Sequence, residues 1–253
     1  MKNIIIANIS GFLGNSLNLY LKKKNYNVFN FKNKNDLKSY DCLIYSNFYI
    51  SKNKNIFYKK NLNFAKKIIN FLKKTKIDVI FISSHLPINI KKNIKKMNEY
   101  QIAKYNIENM LIKEGKIHKF YVKILRFPNI YGPKAKYGVI PDLLKKMKSD
   151  PEVLVYNSNH FRDFVHIDDV VKIIKKFIKI KLNIRLYCGS GIKTQIKKLC
   201  LLLNKIQKKN SQFIFLKDKV NLNKQKLSFS NNILKKKISK FRFINIEKGL
   251  KNL

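Results

Sequence analysis

Apolar residues in the first half of the chain fall in short unbroken runs, separated by stretches where they recur at helical spacing. Residues 3–7 (NIIIA) are the first such run and are predicted to form a buried strand. Residues 8–14 (NISGFLG) read as a tight turn. Leu17, Leu19, Tyr20 and Leu21 then supply the apolar side of a helix that stops near 24–25. Further strands are predicted at 28–31, 41–45, 78–84 and 121–126. Phe64, Ile68, Ile69 and Phe71 mark one intervening helix, with Lys on its other side, and 100–111 forms another. Strands that are apolar throughout, rather than at every second residue, belong to a parallel sheet covered on both faces. Right-handed crossovers then predict an α/β fold built on a doubly wound parallel sheet. After Tyr131 the pattern becomes less regular, and no Pro/Ser linker divides the chain.

Composition narrows this picture. The chain has 253 residues and 45% hydrophobic content, enough for a core despite a net charge of +41. No apolar run reaches the roughly 18–20 residues that span a bilayer, so no membrane association is expected. The opening MKNIIIANISG is too short an apolar stretch for a signal-peptide core. Cys42, Cys188 and Cys200 are far apart, without a CxxC or a nearby His pair. Neither a disulfide framework nor a metal site is expected, and a cytoplasmic location fits. The positive charge invites a nucleic-acid reading, but the basic residues spread from Lys2 to Lys251. Arg stands only at 126, 162, 185 and 242, so nearly all 55 basic residues are Lys. With abundant Asn and Ile and no Trp, this points to coding biased towards A and T. No specific nucleic-acid partner is expected, although the same field favours small phosphorylated ligands.

Two places carry candidate chemistry. Gly11 and Gly14 sit in a turn between the first strand and a helix, where backbone can approach a pyrophosphate at a helix N-terminus. An ordinary surface turn with two glycines has the same pattern. Ser83 and Ser84 close an apolar strand, at the end where ligands bind in open α/β sheets. Sixteen residues after Ser84 comes YQIAK, which puts Tyr100 and Lys104 one turn apart on a helix face. An ammonium beside a phenol favours phenolate, so the Tyr100 pKa is expected to fall towards neutral and make a general acid/base. YxxxK also arises readily in a chain this rich in Lys.

Taken in order, these segments resemble the extended short-chain dehydrogenase/reductase superfamily, specifically its NAD-dependent epimerase/dehydratase (nucleotide-sugar epimerase and reductase) family. IIIANISGFLG is similar to the family's strand and GxxGxxG turn, and DCLIYSN to its DxVIHLA strand. NLNFAKKII places Asn61 at a family Asn. IFISS and NEYQIAKYNIENML match the Ser strand and the YxxxK helix, with Glu108 at the Glu that usually follows. LRFPNIYGP (125–133) and FRDFVHIDDVV (161–171) are the most specific segments. YCGSG (187–191) and FRFINIEKGL (241–250) complete the series.

The resemblance implies a Rossmann-like fold with a small C-terminal substrate-binding lobe. Residues 1–130 would bind NAD(P), with 161–190 adding late elements, while 131–160 and 191–253 would form the lobe. Tyr100 would exchange a proton with a sugar hydroxyl or keto group, Lys104 would hold the nicotinamide ribose, and Ser84 would orient the sugar oxygen. Asn8, Gly11, Phe12, Leu13, Gly14, Lys32, Ser46, Asn61 and Lys104 would contact the cofactor. Ser84, His85, Asn129 and Arg162 would contact a nucleotide-diphosphate sugar, with the Arg162 fork suited to phosphate oxygens. Asp168 and Asp169 are expected to cap the helix after them rather than bind a metal. A homodimer is implied as well.

The chain departs from the family pattern at several points. Asn8 replaces the first Gly of the turn, at a position where Asn tolerates positive φ but can crowd the pyrophosphate. Residues 30–34 lack the carboxylate that suits NAD, which favours NADP with Lys32 or Lys34 on its 2′-phosphate. The interval between Phe31 and Asp41 is short, so an early strand–helix unit is trimmed. A family GxG is here Asn157-Ser158-Asn159, and His85-Leu86 stands where a dehydratase has its Asp-Glu pair. The expected activity is therefore hydride transfer at a sugar carbon by a nucleotide-sugar epimerase or 4-keto-reductase serving surface polysaccharide synthesis. The alternative is a non-catalytic NAD(P)- or nucleotide-sugar-binding protein on the same fold.

Overall fold

The computed structural model describes residues 1–32, 39–51, 53–85, 95, 97–208, 210–216 and 230–253. Lys34 and Leu86 lie outside them. The chain forms two compact units, one of residues 1–126 and 171–186, the other of residues 127–170 and 187–253.

The first unit begins with β1 (Lys2–Ala7), α1 (Phe12–Lys22), β2 (Tyr26–Asn30) and β3 (Cys42–Tyr45). It continues through α2 (Lys54–Thr75), β4 (Asp78–Ser84), α3 (Glu99–His118) and β5 (Val122–Phe127). The pattern that predicted these elements also explains their ends. β2 starts two residues earlier than its apolar run, because Asn25 turns through the left-handed region at φ 59 and pairs Tyr26 with Lys2. α2 is opened by Asn53, whose side chain accepts from the Ile56 amide, and closed by a left-handed Lys76. α3 outruns its apolar core at both ends: Asn98 and Gln101 form a capping box at its start, and left-handed Lys119 closes it.

The sheet order is β10-β5-β4-β3-β1-β2, where β10 (Ile184–Tyr187) arrives late in the chain. The pairings of β1 with β2, β1 with β3, and β3 with β4 are parallel. β2 forms the edge among the described residues, in keeping with the short interval that follows it. The chain leaves β1 for β2 and returns to β3 on the other side of β1. That reversal is a topological switch point, where open α/β sheets bind ligands beyond the strand ends. One face of the sheet is packed by Ala65, Ile68, Ile69 and Leu72 of α2 and by Ile107 and Leu111 of α3. Fully burying each of these Ile and Leu side chains stabilises by about 1.5–3 kcal/mol.

The second unit uses small pairings instead of one sheet. After β6 (Asn129–Tyr131) come α4 (Val139–Ser149), β7 (Glu152–Val155), β8 (Phe161–Arg162) and β9 (Phe164–His166). α5 (Ile167–Ile178) leads back to β10, and β11 (Thr194–Gln195), α6 (Ile196–Gln207), β12 (Gln212–Phe215), α7 (Asn232–Lys237) and α8 (Ile246–Leu250) follow. β6 pairs with β9, β7 with β12, and β8 with β11. Its core joins Tyr131, Leu143, Val153, Phe164, Leu199 and Leu250. Among the described residues no helix is long and apolar enough to cross a membrane.

Candidate active site

The end of β1 turns at Asn8, which adopts φ 70. A Cβ on Gly14 would stand 1.9 Å from the Asn8 carbonyl oxygen, so only glycine allows α1 to pack this close to the turn. A Cβ on Gly11 would stand 2.6 Å from Asn8 Nδ2. The Asn8 side chain thus lies against Gly11, where Ser10 Oγ also donates to its Oδ1 at 3.4 Å. Gly11 is the N-cap of α1 and supplies no side-chain cap, so Phe12 and Leu13 open the helix without one. Close backbone approach and an uncapped helix start fit a pyrophosphate. Ser46, just past β3, donates to the Ala7 carbonyl at 2.7 Å and ties the two strand ends that flank the switch point. Lys32 is exposed beyond the end of β2.

Asn61 was expected at the cofactor. It is 2% exposed, its amide donating to Tyr49 O at 2.9 Å and Phe57 O at 2.8 Å while its Oδ1 accepts from Tyr49 N at 2.9 Å. These bonds fix the segment between β3 and α2, including Phe48.

Phe48 carries no warning in the sequence, yet it packs on both catalytic candidates. Its ring meets Tyr100 edge-on at 4.9 Å between centroids, and Lys104 Nζ lies over its face at 4.1 Å. Lys104 is 4% exposed, donates to Ile82 O at 2.8 Å, and faces the rings of Phe81 at 4.9 Å and Tyr100 at 5.8 Å. Burial pulls its pKa down to about 7, against an upward pull from Glu108. Tyr100 is 36% exposed as a residue, but desolvation governs its hydroxyl and raises its pKa, while a hydrogen bond with Ser84 lowers it.

That corrects the expectation that Lys104 pulls the phenol towards neutral. Its ammonium is directed at a carbonyl and the ring faces instead of the hydroxyl. The structure does bring Ser84, Tyr100 and Lys104 together at the carboxyl end of β4, with half-buried His85 next in the chain.

Glu108, one turn beyond Lys104, is fully buried. Its Oε1 accepts from Ser83 Oγ at 2.6 Å and Arg126 Nε at 2.9 Å. Its Oε2 accepts from Arg126 Nη2 at 2.6 Å and pairs with Arg185 Nε at 3.1 Å. Two of the four arginines in the chain therefore converge on one carboxylate.

The second unit holds Asn129 and Arg162. Asn129 donates through its backbone and its side chain to Asp163 O, at 3.2 and 2.9 Å. Asp163 accepts from Tyr187 Oη at 2.7 Å, Ser190 Oγ at 2.6 Å and Gly191 N at 2.8 Å, and so fixes the YCGSG segment. Arg162 borders a cleft of about 260 Å³ with Asp142, Lys146, Tyr156 and Asn157, and burial lowers its pKa. Asn157 takes φ 56, so asparagine adopts the left-handed conformation here as it does at position 8. Asp168 and Asp169 lie in the first turn of α5, and Asp169 Oδ2 accepts from Ile244 N at 2.7 Å. Nothing local in the sequence marks this tether to a segment 75 residues away.

The sequence profile of the NAD dependent epimerase/dehydratase family matches residues 50–184, more than half of the chain. Among curated proteins, the chain is similar to an ADP-L-glycero-D-manno-heptose-6-epimerase of Brachyspira hyodysenteriae, 28% identical over 152 residues. That alignment covers 53% of this chain and 48% of the relative, so the chain spans about half the length of such a relative. Among solved structures, a UDP-glucose 4-epimerase with UDP-glucose from Thermotoga maritima superposes with a TM-score of 0.84 at 19% identity. It covers 98% of this chain and 96% of its own. RMD from Pseudomonas aeruginosa, complexed with NADPH, gives 0.84 at 18% identity over 100% of this chain and 97% of its own. At these identities the two structures establish the shared fold, and the profile establishes more: the chain belongs to the NAD dependent epimerase/dehydratase family.

Proposed function

We propose that the chain is an NAD(P)-dependent nucleotide-sugar epimerase or 4-keto-reductase in which Tyr100 moves the proton. The observation that carries this reading is the meeting of Tyr100 and Ser84 at the end of β4, with Lys104 one helical turn away. NAD(P), when bound, supplies the hydride acceptor or donor. The uncapped start of α1 and the close approach at Gly11 and Gly14 would hold its pyrophosphate. Exposed Lys32, where NAD binders carry an acid, favours the extra phosphate of NADP. Ser84 orients the sugar oxygen for Tyr100. A phenol held neutral by burial is ready to give its proton to a keto oxygen, a half-reaction that reductases and epimerases share. In the second unit, Arg162 and Lys146 outnumber Asp142 around the cleft and leave it the net positive charge that suits a nucleotide diphosphate.

The test is Tyr100→Phe assayed with NADPH or NADH and nucleotide-4-keto-sugars. Turnover is expected to fall by about 100-fold or more. Unchanged turnover would remove Tyr100 from the chemistry. A second reading, ligand binding without turnover, draws on the Asn8 side chain lying against Gly11 and on Lys104 being covered by Phe48. Calorimetry with NADP, NAD and UDP-sugars separates the two: binding with no turnover by the unmodified chain supports the second.

A further inference from the structure

Among the described residues, no carboxylate pairs with the Lys104 ammonium. Its direct neighbours are the Ile82 carbonyl on β4, the Phe81 ring on β4, Phe48 in the segment before α2, and Tyr100 on its own helix. The nearest acid along α3 is Glu108, one turn on and on the same face. Its carboxylate lies deep in the unit and is shared by three donors from three other strands: Ser83 on β4, Arg126 on β5 and Arg185 on β10. Ser83 is next to Ser84, so the Ser83–Glu108 hydrogen bond at 2.6 Å connects the strand that bears one site residue to the helix that bears the other two.

We propose that Glu108 is a positioning residue for this site: it locks α3 to the end of β4 through Ser83 and sets the charge of Lys104, with Arg126 and Arg185 as counterweights. The assignment rests on the reading of Tyr100, Lys104 and Ser84 as the site.

Charge gives this arrangement a direction that packing alone lacks. In a desolvated site an opposite charge one turn away favours the ammonium, and like charges behind it oppose it. Removing the carboxylate therefore makes Lys104 easier to deprotonate, and more so because two guanidinium groups remain. Removing Arg185 leaves more of the Glu108 field acting on Lys104 and has the opposite effect. Arg185 is the gentler change, because its side chain is 33% exposed and it also bonds Asn109 at the surface.

The experiment titrates the protein labelled with 13C at lysine Cε, without substrate or cofactor. A fully solvated lysine side chain titrates near about 10.4, well away from the neutral range. Lys104 is identified as the resonance lost in Lys104→Met. Glu108→Gln is expected to move its midpoint to lower pH by about one unit or more. Arg185→Gln is expected to move it to higher pH. A midpoint that stays in place, or moves the wrong way, in either folded variant overturns the proposal. If Glu108→Gln does not fold, Arg185→Gln decides alone, upward for and otherwise against. Because the readout needs no turnover, it can fail while Tyr100→Phe abolishes activity, and the reverse, so the two readings fall separately.

Discussion

Buried charge lies at both ends of strand β4, and the two ends are built differently. At its first residue, Asp78 is matched directly: Lys123 Nζ stands 3.1 Å from its Oδ2, and Lys181 Nζ 3.0 Å from the same oxygen. Lys123 also donates to Ile180 O at 2.9 Å. At the other end, Lys104 is about as deeply enclosed as Lys123 but rests on a neutral carbonyl and aromatic faces. Paired charge at the amino end is a structural fastening, where removing one partner is what costs stability. An ammonium with no paired carboxylate among the described residues opposes folding, and such groups are characteristic of functional sites.

The largest expected effect tests the fastening. Asp78→Ala strands the buried Lys123 ammonium, while exposed Lys181 stays hydrated, and is expected to destabilise the fold by about 3–5 kcal/mol, read by urea unfolding. NAD(P) affinity of the folded fraction should hold. If affinity collapses while stability stays, the two ends have been assigned the wrong way round.

The next prediction concerns Lys104 itself. Its pKa falls from 10.5 to about 7 on folding, so between those values the unfolded chain binds more protons than the folded one. Stability from this group therefore rises with pH, and its penalty is greatest below about 7 and fades towards 10.5. Lys104→Met is expected to melt higher than the unmodified chain at pH 6, by about 2–4 °C for each kcal/mol relieved, with the gap closing near pH 10. A gap independent of pH would mean that packing, rather than charge, produces it.

The smallest effect belongs to Tyr45, the last residue of β3, whose buried hydroxyl finds no hydrogen-bond partner among the described residues. Tyr45→Phe is expected to stabilise by about 1 kcal/mol in thermal melts, as a further sign that this end of the sheet carries unmatched polar groups.

The sequence displayed the sheet because its strands are uninterrupted apolar runs, and it displayed Tyr100, Lys104 and Ser84 because their spacing and strand-end position are local facts. Phe48 was invisible: an aromatic after a strand looks like any core residue until Asn61 fixes its segment over Lys104. Lys123 left a visible trace, as a lysine inside an apolar strand (YVKIL), but its partner lies 45 residues away. The resemblance singled out Arg162 but not Arg126 or Arg185, whose shared carboxylate only the fold could reveal. The phenol's titration was misjudged because sequence spacing gives proximity along a helix but not the direction in which the ammonium points.

The buried carboxylates also shape how the molecule meets its surroundings. Only 14 acidic residues oppose 55 basic ones, and Asp78, Glu108, Asp163 and Asp169 are sequestered inside. The exterior is thus more lopsided than the composition implies. Such a particle should hold tightly to a sulfonate column, migrate strongly towards the cathode, and collect stray polyanions during purification.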